Sequence, residues 1–163
     1  MKMRRAMLTQ RELLILATLR RNSRESLTRM SRRISIPVST IYDKIKSYEL
    51  GLITKNTCLI DFSKIGFTTR ATILLRIKSE DKERAREVML KDKHVNTCYR
   101  ITNGYDYLVE GIFRELKQVE DFVESLERQF VIEEKKIHYI LEEVRKEDFL
   151  SNPEYIKLVG GPE

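Results

Sequence analysis

A chain of 163 residues, 41% of them hydrophobic, can bury one ordinary core or two small ones. No apolar run approaches the roughly 18 residues of a membrane span. Cys58 and Cys98 stand outside any CxxC or Cys/His grouping, so a membrane protein, a disulfide scaffold and a zinc module are not expected. The formal charge of +6 is unevenly divided: residues 1–60 carry 13 Lys/Arg against 4 Asp/Glu, and the rest 18 against 21, or +9 and −3. A polyanion is therefore drawn to one end only. Lone thiols and no apolar leader lead us to expect a cytoplasmic protein without cofactor or metal. Plentiful Lys, Arg and Glu with few Gly and no Trp suit a compact thermophile protein.

After a basic stretch at 1–8, Thr9 and Glu12 form a capping box ahead of LLILATLRR, where Leu13, Leu16, Ala17 and Leu19 follow helical spacing. Arg20, Arg21 and Arg24 lie at that helix's C-terminal end, where cations are favoured. Ser26 caps a second helix whose Leu27, Met30 and Ile34 face inward, leaving Arg29, Arg32 and Arg33 on other faces. A tight turn at Ser35-Ile36-Pro37 leads into a third helix, halted near Gly51. Its inward stripe is Ile41, Ile45, Tyr48 and Leu52. At 100° per residue the opposite face centres on Ser39, Asp43, Lys46 and Leu50, with Thr40 beside it and Tyr42 and Lys44 on its shoulders. Two short helices joined this way form a helix-turn-helix, whose second helix enters the DNA major groove.

Residues 54–61 read as an extended linker strand, and Phe62 to Gly66 as a short helical turn ended by glycine. Beyond it the spacing predicts a strand over 69–78, a charged helix over 79–91 and a strand over 95–102. A turn at Asn103-Gly104 leads to a strand over 107–113, a helix over 116–130 and a strand over 136–144. The order βαββαβ is the ferredoxin-like split, one antiparallel sheet with both helices on one face. The fold class is therefore α+β. It divides into a helix-turn-helix domain at 1–53, a linker at 54–67, the βαββαβ domain at 68–146, and an extension at 147–163. A sheet with helices on one face leaves the other to be covered, so strands such as 73–77 and 137–141 are expected to pair two chains.

Four stretches, IPVSTIYDKIKSYELGLI, CLIDFSKIGF, NGYDYLV and IHYILEEVRKED, resemble the Lrp/AsnC (feast/famine) family of transcription regulators, over nearly the whole chain. The resemblance implies an archaeal-like, DNA-binding dimer that assembles further into a tetramer or octamer. It also implies an amino acid or similar effector held near the turn between the second and third strands. That places Asn103, Gly104, Tyr105, Asp106 and Tyr107 in an effector pocket, with Asp106 offered to a ligand's ammonium group. Here the turn begins Asn-Gly where the family has Gly-acid, and Asp43 stands where arginine is common, which implies a different base preference.

For the DNA surface, Ser39, Thr40, Tyr42, Asp43, Lys44 and Lys46 are expected in the groove. Hydroxyls bond bases or phosphates, Lys neutralises phosphate, and Asp accepts from a cytosine amino group. Arg29, Arg32 and Arg33 are expected to clamp phosphates. The alternative for each is a solvated helix face, and for 103–107 a plain hairpin with cross-strand packing. His94 and His138 raise a rival from another class: some proteins of this layout look like siroheme decarboxylases, enzymes acting on a tetrapyrrole. A third reading is an architectural binder that wraps DNA with little base choice. No nucleophile triad, glycine-rich phosphate loop or paired-carboxylate signature is present, and the expectation is a non-enzyme.

Overall fold

The computed structural model describes residues 8–156. The chain divides into two compact units, one of residues 8–58 with 144–156, the other Leu59–Glu143. The first unit holds helices α1 (Gln10–Arg21), α2 (Leu27–Ile34) and α3 (Val38–Glu49). Thr9 caps α1 in a full capping box with Glu12, and the Ser26 hydroxyl caps α2 by accepting the Arg29 N–H. Ile15, Met30, Ile36, Ile41 and Tyr48 form the core of this unit. Burial of each aliphatic side chain among them is worth about 1.5–3 kcal/mol. Ile15 and Ala17, rather than Leu13 or Leu16, are the fully buried apolar residues of α1. Leu52 is 49% exposed. Helix α3 ends at Glu49, so the chain turns before another helical repeat can carry Leu52 inward; Ile53 packs on the core instead. Residues 144–156 belong with the helices: Arg20 donates to the carbonyls of Phe149 (2.6 Å) and Glu147 (3.0 Å), and Ile156 is buried.

Residues 54–61 make no strand pairing in this chain, because an extended segment becomes a strand only beside a partner. The 3-10 turn Phe62–Ile65 is capped by the Asp61 carboxylate and ended by Gly66 at φ 87°, a left-handed conformation that favours glycine. It belongs to the sheet's unit.

That unit comprises β1 (Thr69–Ile77), α4 (Lys82–Lys91), β2 (Val95–Arg100), β3 (Tyr107–Phe113), α5 (Leu116–Glu127) and β4 (Ile132–Tyr139), in an antiparallel sheet ordered β2-β3-β1-β4. Alternation along β1 sends Ala71, Ile73, Leu75 and Ile77 to one face. There they meet Ala85 and Met89 of α4 and Val119, Phe122, Val123 and Leu126 of α5. Both helices thus cover one face, as the split βαββαβ order requires. Arg70, Thr72, Leu74 and Arg76 turn to the other.

One expectation fails here. The last strand is Ile132–Tyr139 rather than 136–144. Ile137 sits opposite Ile73 and Ile132 opposite Ile77, and five residues separate them, an odd step that would put them on opposite faces. A register shift at Arg76/Ile77, which leaves Glu133 unpaired, restores the match. Leu141 and Val144 lie past the strand, 97% and 89% exposed. Of the apolar side chains of 73–77, Ile73, Leu75 and Ile77 pack against the chain's own helices, which leaves Leu74 on the face that no helix covers.

Candidate nucleic-acid interface and hairpin site

Helix α2 ends in Ser35, whose φ of 55° and ψ of 40° are left-handed for a residue with a side chain. That reversal drives Ile36 into the core and sets Pro37 as the N-cap of α3. With Ile41 and Tyr48 buried, the outward arc of α3 carries Ser39, Thr40, Tyr42, Asp43 and Lys46, all exposed. The side chains of Ser39, Thr40 and Asp43 make no hydrogen bond or ion pair among the described residues. Lys46 leans back along its own helix, 3.1 Å from Glu49 and 5.9 Å from the Tyr42 ring centre. The glutamate holds its ammonium above the ordinary lysine range.

Lys44 is tied to a neighbouring helix. Its ammonium lies 2.7 Å from Glu12, whose other oxygen accepts from the Thr9 N–H at 2.8 Å. One carboxylate thus closes the cap of α1 and ties α3 to it, beside a recess of about 360 Å³. The bond from Lys44, then that from Thr9, holds Glu12 below the usual carboxylate range against the effect of burial. Nearby, burial and the Glu12 charge push Tyr48 up to about 12.

The arginines of α2 also separate. Arg33 is paired with Glu25, whose side chain is only 2% exposed, so Arg33 anchors the start of α2 rather than standing free for phosphate. Arg29 and Arg32 are exposed and make no ion pair among the described residues. They remain the candidates for backbone contact. Their sequence signal, a run of arginines, is shared with Arg33; a carboxylate eight residues earlier is what separates the three.

At the β2–β3 hairpin Asn103 and Gly104 both take positive φ, 69° and 96°, as the sequence pair predicts. Around them the polar groups are already engaged. Asp106 accepts the Ile77 N–H at 2.9 Å and faces the Lys82 ammonium at 2.6 Å. Burial alone would raise its pKa, but Lys82 and the Ile77 N–H more than offset it and hold the carboxylate low. It is therefore not a free partner for a ligand's ammonium, and only the fold brings Lys82 to it. Tyr105 donates to Glu134 and lies under Lys136, 5.4 Å from its ring centre. Tyr107 is a core residue whose hydroxyl donates to the Lys82 carbonyl at 3.1 Å. Of residues 103–107, Asn103 and Gly104 are the exposed ones.

The two histidines are not brought together. His94 precedes β2, at one edge of the sheet, while His138 lies opposite Thr72 on β4, at the other edge. Three strand spacings, about 14 Å, separate those edges.

Residues 70–149 match the model of the Lrp/AsnC ligand binding domain. An uncharacterised HTH-type transcriptional regulator of Pyrococcus furiosus is 31% identical over 140 residues, covering 85% of this chain and 94% of the relative. This chain belongs to the Lrp/AsnC family. It is a DNA-binding transcription regulator of the helix-turn-helix type. The HTH-type transcriptional regulator LrpC of Bacillus subtilis is 26% identical over 117 residues, 71% of this chain and 81% of LrpC. The LrpC structure superposes with a TM-score of 0.77, covering 86% of the regulator and 99% of LrpC at 24% identity. A Neisseria meningitidis transcriptional regulator in complex with L-Met gives 0.78 at 20% identity, covering 85% and 93%. These two superpositions speak for the fold alone. No helix among the described residues is long and apolar enough to cross a membrane.

Proposed function

We propose that the regulator recognises a specific duplex sequence as a dimer, with one α3 in each of two successive major grooves. The observation that carries this reading is the unpartnered outer arc of α3: Ser39, Thr40 and Asp43 are exposed with no bond to surrender before they meet a base edge. Burial of Ile41 and Tyr48 holds that arc rigidly outward. Base contacts then come from Ser39, Thr40, Asp43 and, by exchanging Glu49 for DNA, Lys46, while Tyr42 and the free Arg29 and Arg32 meet backbone. Lys44 contributes by fixing the tilt of α3 against α1. The uncovered sheet face, with Leu74 and Leu108 among its charges, supplies the reason to pair. Two-fold symmetry makes the operator near-palindromic, with half-sites about 34 Å apart.

A small effector at the 103–104 tip is the accompanying reading, supported by the L-Met complex of the Neisseria regulator. Because Asp106 is held by Lys82 and Ile77, the turn's backbone groups, rather than a free carboxylate, are what it offers a ligand.

Selection of bound duplexes from a random library at about 0.15 M salt tests the DNA reading, followed by fluorescence anisotropy on the recovered site. Ser39→Ala and Lys46→Ala are expected to weaken specific binding by about 1–3 kcal/mol while leaving non-specific affinity nearly unchanged. A pool retained without a consensus would instead support an architectural binder, and wild-type affinity in both variants would move the reading face elsewhere on α3.

A further inference from the structure

We infer that the unit Leu59–Glu143 carries a second small-ligand site, for a phosphate-bearing molecule, at the end of β3 away from the 103–104 turn. A recess of about 320 Å³ opens there, lined by Phe67, Lys93, His94, Arg114 and Gln118. The seven residues of β3, about 20 Å of strand, separate it from the hairpin end, so it is a different place and stands whether or not the hairpin binds an effector.

Beside Phe67, the lining residues Lys93, His94, Arg114 and Gln118 all carry hydrogen-bond donors, and none is a carboxylate. The Arg114 guanidinium lies over the Phe67 ring at 4.8 Å, which fixes its plane. The Arg114 backbone N–H donates to Gln118 Oε1 at 3.0 Å, so that amide keeps its NH₂ group for another acceptor. His94 stacks on Phe113 at 5.0 Å and 21°, with its Nδ1 3.1 Å from Asp92, which leaves Nε2 as its unengaged nitrogen. Lys93 and Arg114 make no ion pair among the described residues. In the same unit Arg70, Arg76, Lys82 and Lys135 are all matched by carboxylates.

The charge decides the ligand class. Two fixed cations disfavour the ammonium end of an amino acid, and a single carboxylate leaves donors unused. A phosphate dianion supplies acceptors for Lys93, Arg114 and Gln118 together, and the fork of Arg114 fits its oxygens. Gln118 lies in the first turn of α5, whose N-cap Glu115 makes no side-chain cap, so the helix field favours an anion at the same place.

A DNA backbone offers the same phosphate chemistry, so the test separates the two sources. Inorganic phosphate is titrated calorimetrically into the full chain in chloride buffer, with acetate as the comparator, for wild type, Lys93→Gln, Arg114→Gln and the remote Lys135→Gln. Duplex affinity is measured for the same proteins, with circular dichroism confirming the fold. The expected result is saturable phosphate binding, weakened at least tenfold in Lys93→Gln and Arg114→Gln but not in Lys135→Gln, with acetate at least tenfold weaker and duplex affinity unchanged. Absent saturation, equal loss in Lys135→Gln, or acetate matching phosphate overturns the site. A parallel loss of duplex affinity assigns the phosphate to DNA and overturns the small-molecule ligand.

Discussion

Gly111 lies inside β3, opposite Ala71 on β1 and Val95 on β2. A β-carbon there would lie 2.6 Å from Cζ of Phe113 and closer still to Cε2. The Phe113 ring therefore occupies the space a side chain at 111 would need. It cannot swing away cheaply, being fully buried with His94 stacked on one side and Phe122 at 6.0 Å. Two effects compete in Gly111→Ala. Removing a glycine from a strand gains about 0.5–1 kcal/mol, and forcing a methyl into a packed core costs about 1–3 kcal/mol. The net expectation is destabilisation by about 1–2 kcal/mol, or roughly 5–15 °C in melting temperature for a unit of this size. Thermal unfolding followed by circular dichroism reads it directly. The same substitution in a Phe113→Ala background removes the obstacle, so the sign should reverse and alanine should match or exceed glycine by up to about 1 kcal/mol. If Gly111→Ala costs the same in both backgrounds, the ring is not what excludes the β-carbon and the reasoning is wrong.

Arg32 and Arg33 should part company despite their adjacency. Arg33→Ala strands the Glu25 carboxylate and lowers the stability of the helical unit by about 1–3 kcal/mol, whereas Arg32→Ala leaves melting unchanged and shallows the logarithmic salt dependence of DNA binding by about one. Equal melting temperatures for the two would remove Glu25 from the account. Ser35→Gly should relieve the left-handed strain at an exposed site and stabilise by about 0.5–1 kcal/mol without changing duplex affinity; lost stability would show the serine side chain to be needed. Glu12 carries the acid response of the helical unit. Its folded pKa lies below the ordinary value, so its stabilisation is complete above the ordinary carboxylate range and is lost as pH falls through the depressed one. Melting temperature should fall with acid more steeply in wild type than in Glu12→Gln, and parallel curves would show that the Lys44 pair contributes nothing.

Local chemistry made most of the elements legible. The Thr9–Glu12 box, the Ser26 cap, Asn103-Gly104 and the alternation of 69–77 each satisfy backbone groups or bury apolar ones within a few residues of themselves, so their signals are local. The misreadings share one cause. The last strand lies earlier than its spacing predicts because its inward residues are set by the register against β1 and a bulge that no period reveals. Leu52 lies outside the stripe its spacing predicts because helical periodicity says nothing about where the chain leaves the helix.

The candidate surfaces show the same division. Sequence by itself determined the basic N-terminal end, the helix-turn-helix, the outward arc of α3 and the βαββαβ order, because each follows from composition or from periodicity along one element. Only the tertiary structure decided which charges on those elements are free. Lys44 is drawn to Glu12, Arg33 to Glu25 and Asp106 to Lys82, while Arg32, Lys93 and Arg114 are left without carboxylates among the described residues. An ion pair depends on separations of 3–4 Å across elements that can lie tens of residues apart, and such separations are fixed by packing.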